Sequence, residues 1–99
     1  MLVHMAWDFI DATEEGDRRR LAAFRQWTPP AGAEFKGFYG FADTRGGVAI
    51  LEVDSADTLA RVTSPWVPWL KFTTRLLVPV DISSAIAGEA IAFRDSVSQ

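Results

Sequence analysis

The chain has 99 residues and a mass of 10.9 kDa, enough for one domain built around a single hydrophobic core. Hydrophobic residues make up 48% and charged residues 23%, a balance that excludes a disordered chain. The net charge of −3 gives no general attraction to nucleic acid or to anionic lipid, and the lack of cysteine excludes disulfides and thiolate metal sites. No apolar run approaches the roughly 20 residues that cross a bilayer. The N-terminus also lacks a signal-peptide pattern, so we expect a cytoplasmic protein.

The first predicted element is a strand over residues 2–8. Val3, Met5 and Trp7 alternate with His4, the only histidine of the chain, so the two sets lie on opposite faces. A helix is predicted next, because possible N-caps and an acidic first turn come before Leu21, Phe24 and Trp27 at helical spacing. The arginines at 18–20 are expected on its solvated face.

The middle of the chain predicts a β-hairpin. The segments EFKGFYGFA and GVAILEV flank Asp43–Gly46, a turn sequence. A four-residue loop pairs Tyr39 with Ile50 and Phe41 with Val48. In this register Tyr39 lies on the same face as His4. Phe35 is also assigned to the His4 face, and Phe38 to the opposite one.

The remaining segments complete an α+β pattern. Asp54 or Ser55 is expected to cap a second helix that Pro65 ends or bends; residues 71–80 are a strand, and Ser83 or Ser84 starts a C-terminal helix. The order βαββαβ plus a tail helix predicts a single ferredoxin-like domain over residues 1–99, with the first strand in the middle of the sheet.

Both faces of this predicted sheet are apolar, although two crossover helices cover only one of them. A face that carries Tyr39, Phe41, Val48 and Ile50 is a poor surface to leave in water. Either a second copy of the protein or the C-terminal helix is therefore expected to cover it.

A family resemblance rests on the run GGVAILEVDSADTL, on SPWVPWLKF, and on a strand ending in VPV. The chain resembles an uncharacterised family of short proteins, a domain of unknown function with a dimeric α/β-barrel fold, over residues 2 to about 90. The resemblance implies a homodimer whose sheets close face to face, with a cavity between sheet and helices. Larger relatives of this architecture include cofactor-independent monooxygenases, muconolactone-isomerase-like enzymes and haem-dependent peroxidases. The family brings no known catalytic residues.

Three polar residues are the candidate catalytic groups. His4 is placed as a general acid or base, Glu52 as its orienting carboxylate, and Arg75 as a stabiliser of a developing oxyanion, since the three strands are neighbours. A structural interpretation has equal weight: His4 as a satisfied interior imidazole, and Glu52 paired with Arg75 or Lys36.

Five apolar residues are the candidate ligand contacts, and for the tryptophans the alternative is packing in a loop. They are Tyr39, Phe41, Ile50, Trp66 and Trp69.

Other ligands fit the sequence less well. KGFYGFA resembles the aromatic RNA-binding motif of RRM domains, but it falls on the wrong strand of an acidic chain, so no nucleic-acid partner is expected. One histidine without cysteine predicts no metal site, and haem and other cofactors are not expected. The sequence therefore predicts a homodimeric protein that binds an apolar or aromatic small molecule, with two classes open. One is a cofactor-independent isomerase, cyclase or monooxygenase, and the other a non-catalytic ligand-binding or assembly protein. It does not identify the ligand or a reaction.

Overall fold

The structure, a computed structural model, describes residues 1–98. Its strands and helices follow the predicted order, and a 3₁₀ turn at Ser64–Trp66 follows the second helix. The elements are β1 (Leu2–Phe9), α1 (Glu14–Gln26), β2 (Ala33–Gly40), β3 (Gly46–Val53), α2 (Ala56–Thr63), β4 (Leu70–Leu77) and α3 (Val80–Val97).

The four strands form one antiparallel sheet in the order β2-β3-β1-β4. This arrangement confirms the predicted α+β, ferredoxin-like fold with a C-terminal helix, and it places β1 between β3 and β4. The buried core lies on the side of the sheet that α2 covers. Its members are Val3, Met5, Ala49, Leu51, Val53 and Val62.

Side-chain caps start the first two helices. The Thr13 hydroxyl accepts a hydrogen bond from the backbone N–H of Gly16 at 3.1 Å, and the Ser55 hydroxyl accepts one from Thr58 at 3.2 Å. Each cap satisfies a backbone donor that has no partner within the helix. Of the two N-caps predicted for α2, the structure therefore selects Ser55.

The predicted start of α3 was wrong. Ser83 and Ser84 lie inside the helix, which begins at Val80 directly after Pro79. Proline fits just before a helix, since it lacks only an N–H that the helix does not use, and its carbonyl oxygen accepts the N–H of Ser83 at 3.0 Å. As a result β4 ends at Leu77, three residues earlier than predicted.

The register of the hairpin also differs from the prediction. Tyr39 pairs with Val48 rather than Ile50, and Phe41 lies in the loop between the strands. The shift is by two residues, so Tyr39 keeps the predicted face, the one that carries His4.

A β-bulge in β2 overturns the predicted face of Phe35. Phe35 pairs with Leu51 and Gly37 pairs with Ile50, so Lys36 is an extra residue without a partner. The extra residue rotates Phe35 to the helix side of the sheet, where Leu51 lies. We define the opposite side of the sheet as the open face. On β1, β3 and β4 its residues include Leu2, His4, Ala6, Val48, Ile50, Glu52, Lys71, Arg75 and Leu77.

The C-terminal helix leaves its own sheet uncovered. None of the α3 side chains is buried, and on the open face His4 and Ile50 are only half-buried. The α3 helix of the same chain, one of the two covers predicted for that face, therefore does not cover it, and the other, a second copy, stays a prediction. No helix within residues 1–98 has the length and apolarity to cross a membrane.

Gly47 permits the close packing of β3 against β1. A methyl group at this position would overlap the Trp7 ring and the carbonyl oxygen of Tyr39. We expect Gly47→Ala to lower the free energy of unfolding by about 2–3 kcal/mol, since overpacking forces the ring or a strand to move. Chemical denaturation followed by tryptophan fluorescence measures this loss.

Gly88→Ala is the matched control. Gly88 lies in α3, and apart from its chain neighbours and the adjacent backbone of the helix no atom lies within 4 Å of the position of an added methyl group. Alanine favours a helix interior over glycine by up to about 1 kcal/mol, so this variant should gain helix content without losing stability. Equal losses in the two variants would contradict the packing described for Gly47.

Candidate functional site

A cavity of about 790 Å³ lies on the helix side of the sheet, beneath α1. It is lined mainly by residues of β1, α1, β2 and the segment after α2, with contributions from α2 and β4. Its walls are mainly aromatic. The principal wall residues are Trp7, Phe24, Trp27, Phe35, Phe38 and Trp66. Phe24 and Phe38 are 48% and 43% exposed, so the cavity opens to solvent between α1 and β2.

The aromatic rings support one another. Phe35 and Phe38 are stacked with centroids 4.7 Å apart, and Trp27 meets the edge of Trp66 at 5.5 Å and of Phe35 at 6.0 Å. Offset-stacked and edge-on pairs are the arrangements that aromatic rings prefer. Because residues three apart in a regular strand face opposite ways, Phe35 and Phe38 meet only through the bulge at Lys36.

Arg20 forms the polar end of the cavity. It is only 6% exposed, and its guanidinium donates to the backbone oxygen of Asp11 at 2.6 Å and to the carboxylate of Asp17. The guanidinium carbon lies 4.2 Å from the centre of the Phe9 ring, a cation–π distance. Arg20 thereby ties α1 to the loop after β1.

The expectation of a solvated face for residues 18–20 was wrong for Arg20. Arg18 and Arg19 are exposed and pair with Glu14 and Glu15 at 2.8 and 2.7 Å. Arg20 points inward because Gly16, one turn earlier, leaves room for it: a Cβ at Gly16 would lie 3.2 Å from a guanidinium nitrogen. The Gly16–Arg20 spacing is the sequence feature that marks this inward-facing position.

The loop after β1, which Arg20 contacts, contains a carboxyl group with a lowered pKa, that of Asp11. The backbone N–H of Thr13 donates to Asp11 at 2.8 Å and lowers the pKa of the Asp11 carboxyl below its usual value. The Thr13 hydroxyl and the positive charge of Arg20 act in the same direction, and burial opposes them. Asp11 therefore stays ionised at neutral pH and fixes the turn that leads into α1.

The predicted catalytic residues lie on the open face, across the sheet from the cavity. The Cα of His4 pairs with Arg75 on one side and Ile50 on the other, so the structure brings Arg75 beside His4. Glu52 pairs with Leu2, which lies two residues before His4 in β1. Their catalytic role stays a prediction.

The partner expected for Glu52 was wrong. Glu52 is half exposed and accepts a hydrogen bond from the N-terminal ammonium of Met1 at 2.8 Å, instead of pairing with Arg75 or Lys36. Lys36 pairs with Glu34 at 3.1 Å. Glu52 lies at the solvated end of β3, so the cost of burying an unpaired carboxylate does not arise and gives no argument for a functional role.

Two of the five predicted ligand contacts reach the cavity. Trp66 is buried in its wall. Tyr39 is 65% exposed and belongs to the open face, but it lies near the end of the edge strand β2 and so borders the rim of the cavity. Trp69 is outside the wall, with its ring 6.3 Å from that of Trp66, while Phe41 is in the hairpin loop and Ile50 on the open face.

Sequence reasoning missed most of the wall and also Arg20. Trp7, Phe24 and Trp27 look like ordinary core residues at helical or strand spacing, and Phe35 needs the bulge to face inward. Across residues 1–98, no three histidine, aspartate or glutamate side chains are grouped as metal ligands.

Fold and site define a class: an α+β protein of ferredoxin-like topology with an aromatic cavity between its first helix and its sheet. The family model described as a domain of unknown function (DUF3303) matches residues 1–91, and the chain belongs to that family. A comparison with curated proteins finds no match. The predicted resemblance to a family of unknown function is thus confirmed, and its dimeric α/β-barrel architecture stays a prediction.

The Arg20 contacts predict a measurable difference between two neighbouring arginines. Arg20→Ala removes a charged hydrogen bond and the stacking on Phe9, and we expect a loss of about 2 kcal/mol in the free energy of unfolding. The loss stays moderate because the side chain of Asp17 is 63% exposed and remains solvated without its partner.

Arg19→Ala is the control for this measurement, since its pair with Glu15 is exposed on the same helix. Exposed pairs of this spacing contribute at most about 0.5 kcal/mol. Denaturant unfolding of both variants tests the comparison, and a loss for Arg20→Ala no larger than that for Arg19→Ala would show that the arginine does not hold α1.

Proposed function

We propose that the protein binds an apolar, aromatic small molecule in the cavity beneath α1. The observation that carries the proposal is the aromatic wall around about 790 Å³ of space. Binding sites for small molecules are concave, mostly apolar, and measure roughly 300–1,000 Å³, with few polar groups. The cavity agrees with this description in volume and in lining.

The wall favours a flat, uncharged ring system. The stacked pair Phe35–Phe38 and the indole of Trp27 offer faces and edges on which an aromatic ring packs favourably. Arg20 does not call for an anionic ligand, since its charge is already matched by Asp17. A single polar atom on the ligand, directed to the Arg20 end, is sufficient to fix its orientation.

Of the two classes that the sequence leaves open, the cavity supports ligand binding more directly than catalysis. The four-stranded sheet separates the cavity from His4 and Arg75, so a molecule bound beneath α1 does not touch them. An isomerase, cyclase or monooxygenase reaction at His4 needs a second pocket, closed over the open face. Cofactor-independent catalysis therefore remains the alternative, and binding is the proposal.

Titration with 1-naphthol, a flat ring with one hydroxyl, tests the proposal. Two-dimensional NMR of the protein should show saturable shifts of the indole N–H signals of Trp27 and Trp66. Phe24→Ala removes part of the wall at the cavity mouth. It should weaken binding about three- to tenfold, the value of one aromatic contact.

Phe41→Ala is the matched control, a phenylalanine that is 38% exposed and lies outside the cavity wall. It should leave the affinity unchanged. Shifts confined to the open face or to α3 would contradict the proposed site, as would the absence of saturable shifts. Equal weakening by both variants would place the ligand at the hairpin loop.

A further inference from the structure

The C-terminal helix has an apolar stripe that no other side chain of residues 1–98 buries. Residues at intervals of four, four, three and four share one side of α3. We call them the α3 stripe: Ile82, Ile86, Ala90, Phe93 and Val97. Its four large members are 47–66% exposed. In proteins most of the stability of a helix comes from tertiary packing of its apolar side, so α3 is expected to pack against a surface.

The chain exposes more surface than a monomer of its mass. Its accessible area is 7076 Å², against about 5,600 Å² for a folded monomeric protein of this size. The radius of gyration is 17.9 Å, against about 13 Å for a compact domain of this length. The excess of about 1,500 Å² is larger than the roughly 800 Å² that each partner buries in a standard interface.

Covering α3 alone does not account for this excess. One side of a single helix provides only part of the area, and the half-buried residues of the open face provide the other unpartnered apolar surface. Each chain thus has two such surfaces. If two copies exchange their α3 helices around a two-fold axis, the α3 stripe and the open face of each copy are both buried.

One charged contact favours the open face over a second α3. On that face Asp8 is the cross-strand neighbour of Lys71, whereas Arg75 has His4 beside it and forms no ion pair within residues 1–98. Of the acidic residues of α3, Glu89 borders the α3 stripe, while Asp81 and Asp95 lie on the opposite side of the helix. Placing α3 on the open face brings Glu89 toward Arg75, whereas pairing two α3 helices brings their Glu89 side chains together.

We propose that α3 of each copy lies across the open face of a second copy, forming a homodimer by helix exchange. The dimensions agree, since an 18-residue helix and an eight-residue strand both measure about 27 Å. The link of Val78 and Pro79 after β4 carries the helix away from its own sheet. This interface is independent of ligand binding beneath α1, so either proposal holds or fails without the other.

Two aspartate substitutions test the α3 stripe. Ile86 and Ile91 are 53% and 51% exposed on the same helix, and only Ile86 belongs to the stripe. Light scattering of the full chain should give about twice 10.9 kDa. Ile86→Asp should raise the dissociation constant of the dimer on the order of a hundredfold, because the charge is buried at two symmetric positions. Ile91→Asp should change it less than about threefold.

A monomeric full chain, or equal effects of the two substitutions, would overturn the proposal. Near-ultraviolet circular dichroism of both variants shows whether the sheet and its tryptophans stay packed. If Ile86→Asp disturbs them, disulfide trapping supplies the test instead.

Disulfide trapping identifies the surface that receives α3. The chain has no cysteine, so single substitutions are clean. Ile86→Cys on one tagged chain and Ile50→Cys on a differently tagged chain should form a mixed disulfide after the two are refolded together. If a disulfide forms only between two chains that both carry Ile86→Cys, α3 of one copy packs against α3 of the other instead. An intrachain disulfide in the double variant would show α3 on its own sheet, and either result overturns the exchange.

Discussion

The bulge in β2 determines which side of the sheet receives the aromatic residues of that strand. In a regular strand Phe35 and Phe38 would face opposite ways, and Phe35 would belong to the open face. The extra residue Lys36 brings both rings to the helix side, where they stack at 4.7 Å. With the tryptophans of β1 and of the segment after α2, they hold α1 away from the sheet, and the aromatic cavity is the space that results. The open face keeps smaller apolar residues such as Val48 and Ile50, which suit a helix packed across them.

Alternation and turn chemistry were sufficient to predict the fold. The apolar alternation of β1 gave the correct face for His4, since hydrophobic side chains on one face of a strand are forced toward the core. The hairpin was found but its register was shifted by two residues, because the loop was predicted at Asp43–Gly46, whereas β2 ends at Gly40 and β3 begins at Gly46. Local sequence does not reveal a bulge, because the identity of Lys36 carries no sign of it; only the pairing with β3 does.

Less of the candidate site than of the fold was predictable, and Arg20 shows why. An arginine that ends a run of three, just after an acidic first turn, has the composition of a solvated position, and the two arginines before it are indeed solvated. What turns Arg20 inward is a combination of distant partners: the backbone oxygen of Asp11, the ring of Phe9, and the space left by Gly16. Such a combination exists only once the helix is docked. Trp66 was predicted to border a cavity because it lies in a bent connection after α2, but that cavity was expected on the His4 face, and the structure places the ring on the helix side of the sheet.

The proposed helix exchange and the predicted catalytic residues compete for one surface. A helix lying on the open face would bury His4 and Arg75 in an interface, and a buried guanidinium is stable only when it is paired. Glu89, which borders the α3 stripe, supplies such a pair, and then Arg75 is explained by assembly without any reaction. A pocket at His4 needs the opposite condition: a partner that contacts the open face only at its edges and leaves space over His4. Arg75 forms no ion pair within residues 1–98, and Glu89 borders the α3 stripe, so these residues favour assembly. They support the proposal that the open face receives a second copy, while the aromatic wall beneath α1 supports the proposal of a small-molecule site there.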